Sequence, residues 1–329
     1  VWVVLQIYAG HLADRYGRKN FIIIGLLIYG AFAFMCFRAQ TFAQLLIFRM
    51  LQGVGLGLFG PASLGLVGSF EEKGRSFAIF RTAEAIGIIF APILGGFVGD
   101  IGLSYPFLIS MGAALLAIAS LVLIKEERVK TKRESFFKSV KSMLKLKNFM
   151  YICIAAFIAE LCFVSFEIVI PVVGESIALS AKKIGFVLSS YFVTFSLFQI
   201  PIGILSEKVS RKRLIVLSAF VTAVGFFLLF LSRTFWTMVS SMALLGVGLG
   251  AVFVQSSALV ADIAPEDKKS LYLAFFDSII DISFVVMPVM VGWILVVGER
   301  LPFILCTFLL IASAFVFLKF TKAKKIQSM

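Results

Sequence analysis

Six charged side chains sit inside runs of apolar sequence: Arg49, Glu84, Glu160, Glu167, Asp277 and Asp281. A charge at the middle of a bilayer costs about 2.5–3.5 kcal/mol on insertion scales, so each is expected to face protein or water and not lipid. Glu160 and Glu167 are seven residues apart, and Asp277 and Asp281 four apart, so each pair shares a helix face. A carboxyl in apolar surroundings can pass between protonated and ionised forms near neutral pH, and it can meet a cation. That is the chemistry of a proton or cation site. The plainer reading of each acid is a structural pair or a water-exposed helix end, with Arg81 as the neighbour for Glu84. Arg49 can equally anchor or pair locally. Cys36, Cys153, Cys162 and Cys306 lie in apolar runs with no metal or redox spacing, and read as small hydrophobes. The single histidine, His11, lies in a loop, so a histidine relay within the visible membrane region is absent. No metal site, cofactor or activated nucleophile is expected, and therefore no enzyme.

The elements that position these charges are membrane helices. Of the 329 residues 60% are apolar and only 15% charged, far from soluble composition. Apolar runs of about 20 residues, the length that crosses a hydrocarbon core, fill most of the chain. A partial span covers 1–10. Full spans cover 21–37, 42–69, 76–98, 104–124, 149–173, 183–205, 213–231, 235–262, 270–297 and 301–319. The organisation is 1–124, a basic linker at 125–148, and 149–329 with a short basic tail. The linker carries nine Lys and Arg against three Glu, and the loops at 11–19, 71–75, 206–213 and 265–269 carry Arg and Lys too. By the positive-inside bias, linker and C-terminus are cytoplasmic. Much of the formal charge of +13 is then a topology signal. It points to no nucleic acid, while the linker can attract anionic membrane lipid.

One signal occurs twice. Gly10-His11-Leu12-Ala13-Asp14-Arg15-Tyr16-Gly17-Arg18-Lys19 is matched, 193 positions on, by Gly203-Ile204-Leu205-Ser206-Glu207-Lys208-Val209-Ser210-Arg211-Lys212. The same offset superposes Gly53, Gly55 and Gly57 on Gly246, Gly248 and Gly250, and Glu84 on Asp277. A register held without a gap implies two structurally equivalent halves, which in a membrane protein suggests a site between them. Five spans precede the linker and six follow it, and 149–173 has no partner in the first half. The expectation is an all-α protein of two pseudo-symmetric six-helix halves, with the first helix and part of the second missing from this chain.

The first copy of the repeated signal, G-x-L-A-D-R-x-G-R-K, resembles the signature of the major facilitator superfamily. Arg49-Met50-Leu51-Gln52-Gly53 looks like that family's fourth-helix motif. Gly87-Ile88-Ile89-Phe90-Ala91-Pro92-Ile93-Leu94-Gly95-Gly96 is similar to the fifth-helix motif of its drug/proton antiporter branch, with Ala91 where that pattern has Gly. The resemblance implies the major facilitator fold and alternating access. It implies a cytoplasmic gate at Gly10, Asp14, Arg15, Gly17, Arg18 and Lys19, with Glu207, Arg211 and Lys212 in the degenerate copy. A plain topology loop is the alternative there. Arg49, Gln52, Gln255 and Ser256 become cavity candidates, alongside Glu160 and Glu167. Gly87, Ala91, Pro92, Gly95 and Gly96 become a helix-bend motif, for which the structural role of bending and close packing suffices. Gly55-Leu56-Gly57-Leu58-Phe59-Gly60 formally fits a dinucleotide fingerprint, but it lies within one apolar run with no strand before it.

The reading is a secondary transporter in the plasma membrane, working as a monomer by proton-coupled export of a small organic compound. An excess of core acids over bases favours cationic or lipophilic substrates, with the proton-binding candidates Glu160, Glu167, Asp277, Asp281 and Glu84. Uptake or exchange of a sugar or other metabolite stays open, as does a transport-inactive sensor.

Overall fold

Inside lipid a backbone must satisfy its own N–H and C=O groups, and an apolar run does so by coiling into a helix. A computed structural model describes Leu5, Ala9, Ala13, residues 17–67, 73–121, Met143, 146–265 and 269–320. It describes no side chain for Leu64, residues 73–78, Arg81, Glu207, residues 269–271, Ala274 or Phe320. Among the described residues the regular structure is helical throughout. The helices are α1 (Arg18–Arg38), α2 (Phe42–Val67), α3 (Lys73–Gly99), α4 (Tyr105–Leu121), α5 (Lys147–Ser176), α6 (Ala181–Lys208), α7 (Arg211–Leu231), α8 (Phe235–Ile263), α9 (Lys269–Ile280), α10 (Ser283–Val297) and α11 (Leu301–Phe320). Nine stretches among the described residues are long and apolar enough to cross a membrane, and α4 is a shorter apolar helix. These match the expected spans to within a few residues. The expected partial span at 1–10 lies almost wholly outside the described residues, as does most of the linker.

One span differs. The stretch 270–297, read as a single helix, divides at Asp281–Ile282. There the hydrogen-bond ladder tightens: Ile282 N donates to Ile279 O, Phe284 N to Asp281 O and Val285 N to Ile282 O. Two local causes converge. Pro288 has no N–H for the Phe284 carbonyl and its ring crowds that turn. Asp281 is of a type that competes with the backbone for local hydrogen bonds.

Helix ends follow local chemistry. Thr234 and Thr237 form a reciprocal capping box at the start of α8. Ser180 accepts from Lys183 N at the start of α6. Helix α5 stops where Ala178 adopts the left-handed conformation, φ 57°, and Leu179 N returns to Gly174 O at 2.9 Å.

The chain packs as two compact units. One comprises Val1–Gly87 and Phe97–Glu134, the other Ile88–Gly96 and Ser135–Met329. In the first, α1 packs on α2 and α4. In the second, α7 packs on α8 and α11, while α5 touches α6 and α8 to α11. The internal repeat maps α1, α2 and α4 onto α7, α8 and α11, so the same neighbours meet in both units.

The crossing point repeats as well. A Cβ built on Gly55 would lie 2.6 Å from both Gly25 O and Tyr29 N, and one on Gly25 would lie 2.8 Å from Gly55 O. Backbones of α1 and α2 therefore touch directly, as small residues allow in membrane helices. The counterparts of Gly25, Tyr29 and Gly55 are Ser218, Thr222 and Gly248. A Cβ on Gly248 would run into Thr222 Oγ1 and lie 3.1 Å from Ser218 O. Gly246 marks a second close approach, against Thr194 and the Tyr191 carbonyl of α6. Across it Thr194 Oγ1 donates to Ala243 O at 2.8 Å and Ser190 Oγ to Val239 O at 3.2 Å.

Candidate functional site

The second unit gathers carboxylates around an aromatic cluster. Helix α5 carries Glu160, Phe163 and Glu167 at spacings of three and four, which places them on one face. The Phe163 ring lies 5.7 Å from Tyr191 and 6.3 Å from Phe192 on α6, and 6.4 Å from Phe284 on α10. Phe166 packs on Tyr191 at 4.7 Å. Tyr191 is fully buried and within electrostatic reach of Glu160 and Glu167. Glu160 is in turn within reach of Asp281, Glu167 and Asp277. Glu160, Glu167 and Asp281 are half-buried, and Asp277 is exposed. Asp281 stands at the division between α9 and α10, three residues before Phe284. Among the described residues no Lys or Arg pairs with Glu160 or Glu167. Glu160 and Glu167 share a helix face with Phe163, and Asp277 and Asp281 lie within electrostatic reach of Glu160, a grouping that can attract a proton or an organic cation.

The second unit also holds buried polar atoms with no partner: Ser165 Oγ on α5, Ser283 Oγ at the start of α10, and Gln255 Oε1 and Ser256 Oγ on α8. Gln255 Nε2 donates to Ile202 O at 3.4 Å, one residue past Pro201 of α6. Gln255 and Ser256, cavity candidates by sequence, have no exposed surface and sit between packed helices.

Arg49 and Gln52, the other cavity candidates, belong to the first unit. Arg49 Nη1 donates to Gln52 Oε1 at 2.8 Å, and the guanidinium stands 5.6 Å from the Phe107 ring centroid of α4. Glu84 is exposed on α3.

Of the repeated basic signal, Gly10, Asp14 and Arg15 lie outside the described residues, as does the side chain of Glu207. The remaining members show what the two copies share. Arg18 Nη1 donates to Gly65 O at 2.6 Å, tying the first turn of α1 to the last turn of α2. Its counterpart Arg211 pairs with Asp262 at 3.1 Å, tying the first turn of α7 to the last turn of α8. Lys212 Nζ donates to Leu318 O of α11 at 2.9 Å. Gly17 has φ 105° just before α1, a conformation that L side chains rarely adopt.

The motif on α3 has a definite packing role within the second unit. A Cβ on Gly185 of α6 would collide with the Pro92 carbonyl, and one on Gly96 would lie 2.5 Å from Ala181 O. Ser189 Oγ donates to Ile89 O at 2.9 Å. Built Cβ atoms on Gly87 and Gly95 meet nothing within 4 Å, and Ala91 and Pro92 continue the helix.

Sequence reasoning did not find Tyr191, Asp262 or the division at Asp281. Tyr191 had no signal among so many aromatics. Asp262 had one, an acid at the end of a span, close to a loop that carries lysines.

Comparison with known proteins agrees with this architecture. The model of the Major Facilitator Superfamily matches residues 2–182 and 152–328. An MFS-type transporter of Methanocaldococcus jannaschii is 25% identical over 309 residues, covering 88% of this chain and 78% of the relative. Multidrug resistance protein 2 of Bacillus subtilis is 26% identical over 233 residues, covering 66% of this chain and 58% of the relative. Quinolone resistance protein NorA of Staphylococcus aureus is 26% identical over 207 residues, covering 60% and 53%.

Proposed function

The chain belongs to the major facilitator superfamily, a family of transporters and not of enzymes, and from that premise we propose that it exports small lipophilic or cationic organic compounds in exchange for protons. The observation that carries this reading is the set of carboxylates on α5, α9 and the α9–α10 division, with no basic partner for Glu160 or Glu167 among the described residues. A carboxylate without a fixed cation is free to exchange a proton for a cationic substrate. Its occupancy can then follow the conformational state, as alternating access requires. The aromatic rings around Phe163 suit an apolar or cationic substrate. Two relatives named for multidrug and quinolone resistance favour drug-like compounds over sugars.

In this reading residues 1–124 and 149–329 are the two moving halves of a monomer in the plasma membrane. The basic linker and the C-terminus lie on the cytoplasmic side. The Asp14 loop and its degenerate copy close the cytoplasmic gate. Substrate and proton use the second-half acids, with Glu84 as a further candidate.

The test is transport in sealed vesicles with a lipophilic cation as probe. Glu160→Gln, Glu167→Gln, Asp277→Asn and Asp281→Asn are compared for pH-driven transport and for counterflow at equal pH. A coupling acid loses the first and keeps much of the second. One pH unit is worth about 1.36 kcal/mol, so an uncoupled variant loses up to about tenfold accumulation per unit. If all four variants keep full pH-driven transport, these acids are not the proton site.

A further inference from the structure

Two arginines meet at the end of α7 that lies away from the repeated basic signal. Arg300, just before α11, donates through Nη1 to Ser232 O and, at 3.5 Å, to Phe230 O. Arg233 Nη1 donates to the same Phe230 O at 3.4 Å. One carbonyl oxygen thus holds two guanidiniums side by side. Glu299 is within electrostatic reach of Arg300, yet neither arginine forms an ion pair with a described residue. The plain account is that both cap the last carbonyls of α7, as cations do at helix C-termini.

The repeat argues against that account. The 193-residue offset maps Phe230, Ser232, Arg233 and Arg300 onto Phe37, Ala39, Gln40 and Phe107. Helix α1 ends on the same backbone without the pair. Ala39 has φ −64° and ψ 128°, with its N–H on Cys36 O at 3.2 Å. Ser232 has φ −63° and ψ 134°, with its N–H on Leu229 O at 3.1 Å. The next helices start alike too: Thr41 Oγ1 accepts from Gln44 N before α2, as Thr234 Oγ1 accepts from Thr237 N before α8. A helix end that forms equally well without two guanidiniums does not need them. Helix α1 has a single cation in its last turn, Arg38, at the position of Leu231. Nor does the positive-inside bias explain the pair, because the repeated basic signal lies at the opposite end of α7.

At this end the pair has donors to spare. Arg233 is exposed and Arg300 half-buried, and Nε and Nη2 of both make no hydrogen bond. In sequence they are flanked by Leu231, Trp236 and Val297, large apolar side chains exposed at 51%, 75% and 79%. On a membrane helix such surface faces acyl chains, and tryptophan prefers the headgroup level. A phosphodiester at that level offers oxygens to both guanidinium forks, which match phosphate geometry. Two arginines against Glu299 leave a net positive charge, which favours an anionic headgroup over a zwitterionic one.

We infer that Arg233 and Arg300 bind the phosphate of an anionic phospholipid whose glycerol and upper acyl chain lie along Trp236. The inference holds or fails whatever compound the chain transports.

The experiment reads Trp236 alone, in the chain carrying Trp2→Phe and Trp293→Phe, the other two tryptophans. The protein is placed in phosphatidylcholine vesicles, and the quencher is brominated phosphatidylglycerol or brominated phosphatidylcholine at equal mole fraction. Quenching of Trp236 should report phosphatidylglycerol enriched by at least about fivefold. Arg233→Gln should lower that enrichment by about fivefold, a ratio equivalent to about 1 kcal/mol for one arginine at an anionic lipid surface. Arg38→Gln removes the same charge at the equivalent end of the first unit and should leave the enrichment unchanged. Arg300→Gln also unties α7 from the start of α11, so the exposed Arg233 carries the decision. Equal quenching by the two lipids overturns the inference, as does full enrichment in the Arg233 variant or an equal loss in the Arg38 variant. Displacement of the lipid by inorganic phosphate at constant ionic strength would assign the pair to a soluble anion and overturn it too.

Discussion

Gly55→Ala should loosen the first unit at one point, and the structure sets the size of the effect. The added Cβ falls 2.6 Å from Gly25 O and Tyr29 N and 2.9 Å from Tyr29 Cα. All three are backbone atoms of α1, so no side chain can rotate away. The two helices must separate until the contact relaxes from 2.6 Å to the ordinary 3.4 Å or more. Overpacking of this kind costs about 1–3 kcal/mol. Alanine's better helix propensity returns at most about 1 kcal/mol. A net loss is therefore expected, seen as a lower thermal midpoint and lower monodisperse yield in mild detergent. Gly60→Ala, on the same helix, is the control: its Cβ meets nothing within 4 Å, so only the propensity gain remains. The repeat supplies a second control. At Gly248 the nearest obstacle is the Thr222 hydroxyl, a side-chain atom, so Gly248→Ala should be partly rescued by Thr222→Ala. If Gly55→Ala is as stable as Gly60→Ala, the direct backbone contact between α1 and α2 is wrong.

Ala178→Gly should raise stability by up to about 1 kcal/mol, since it relieves an L residue at φ 57°; an unchanged thermal midpoint would deny the left-handed stop of α5. Asp262→Asn should lower stability by less than about 1 kcal/mol, because the Arg211–Asp262 pair is part-exposed, at 29% and 40%; denaturant titration at low and high salt checks it. Asp14→Asn should abolish most transport with insertion intact, and Glu207→Gln should be milder; full activity of the Asp14 variant, normalised to protein in vesicles, would reduce that loop to a topology signal.

The helices were legible in the sequence because lipid leaves the backbone so few alternatives. The repeat went further. An offset found in loop residues placed Gly55 on Gly248 before any packing was known, and both prove to be crossing points. The division at Asp281 was not legible, because a span with Pro288 can bend or continue, and hydropathy does not distinguish the two. Arg211 shows a similar limit. Its motif marked the residue, but its partner Asp262 comes from a different helix and a different stretch of sequence. The aromatic cluster was hidden by composition: with 37 Phe, no spacing singles out Phe163 or Tyr191. That Glu160 and Glu167 share a face follows from their interval. That Asp281 is close enough to influence Glu160 is a property of how α5 meets α9 and α10.

The two units repeat one another in backbone and differ in charge, and that contrast bears on how such a duplication acquires a function. Arg18 and Arg211 occupy equivalent positions and perform the same tie, first turn to last turn, although one bonds a carbonyl and the other a carboxylate. At such positions the fold sets the requirement and either acceptor meets it. Arg49 and Met242 occupy equivalent positions too, yet no common packing requirement explains a guanidinium in one and a thioether in the other. Glu84 and Asp277 keep an acid in both halves, but only the second half adds Asp281, one helical turn on, where the first has Ile88. The span divides at Asp281 and runs unbroken through Ile88. Polar groups inside a membrane protein carry a standing cost, so the places where one copy bears a charge and the other does not are where function, and not folding, best accounts for the residue. By that criterion Arg49 in the first half and Asp281 in the second are stronger functional candidates than the arginines of the repeated signal, although the signal is far easier to recognise.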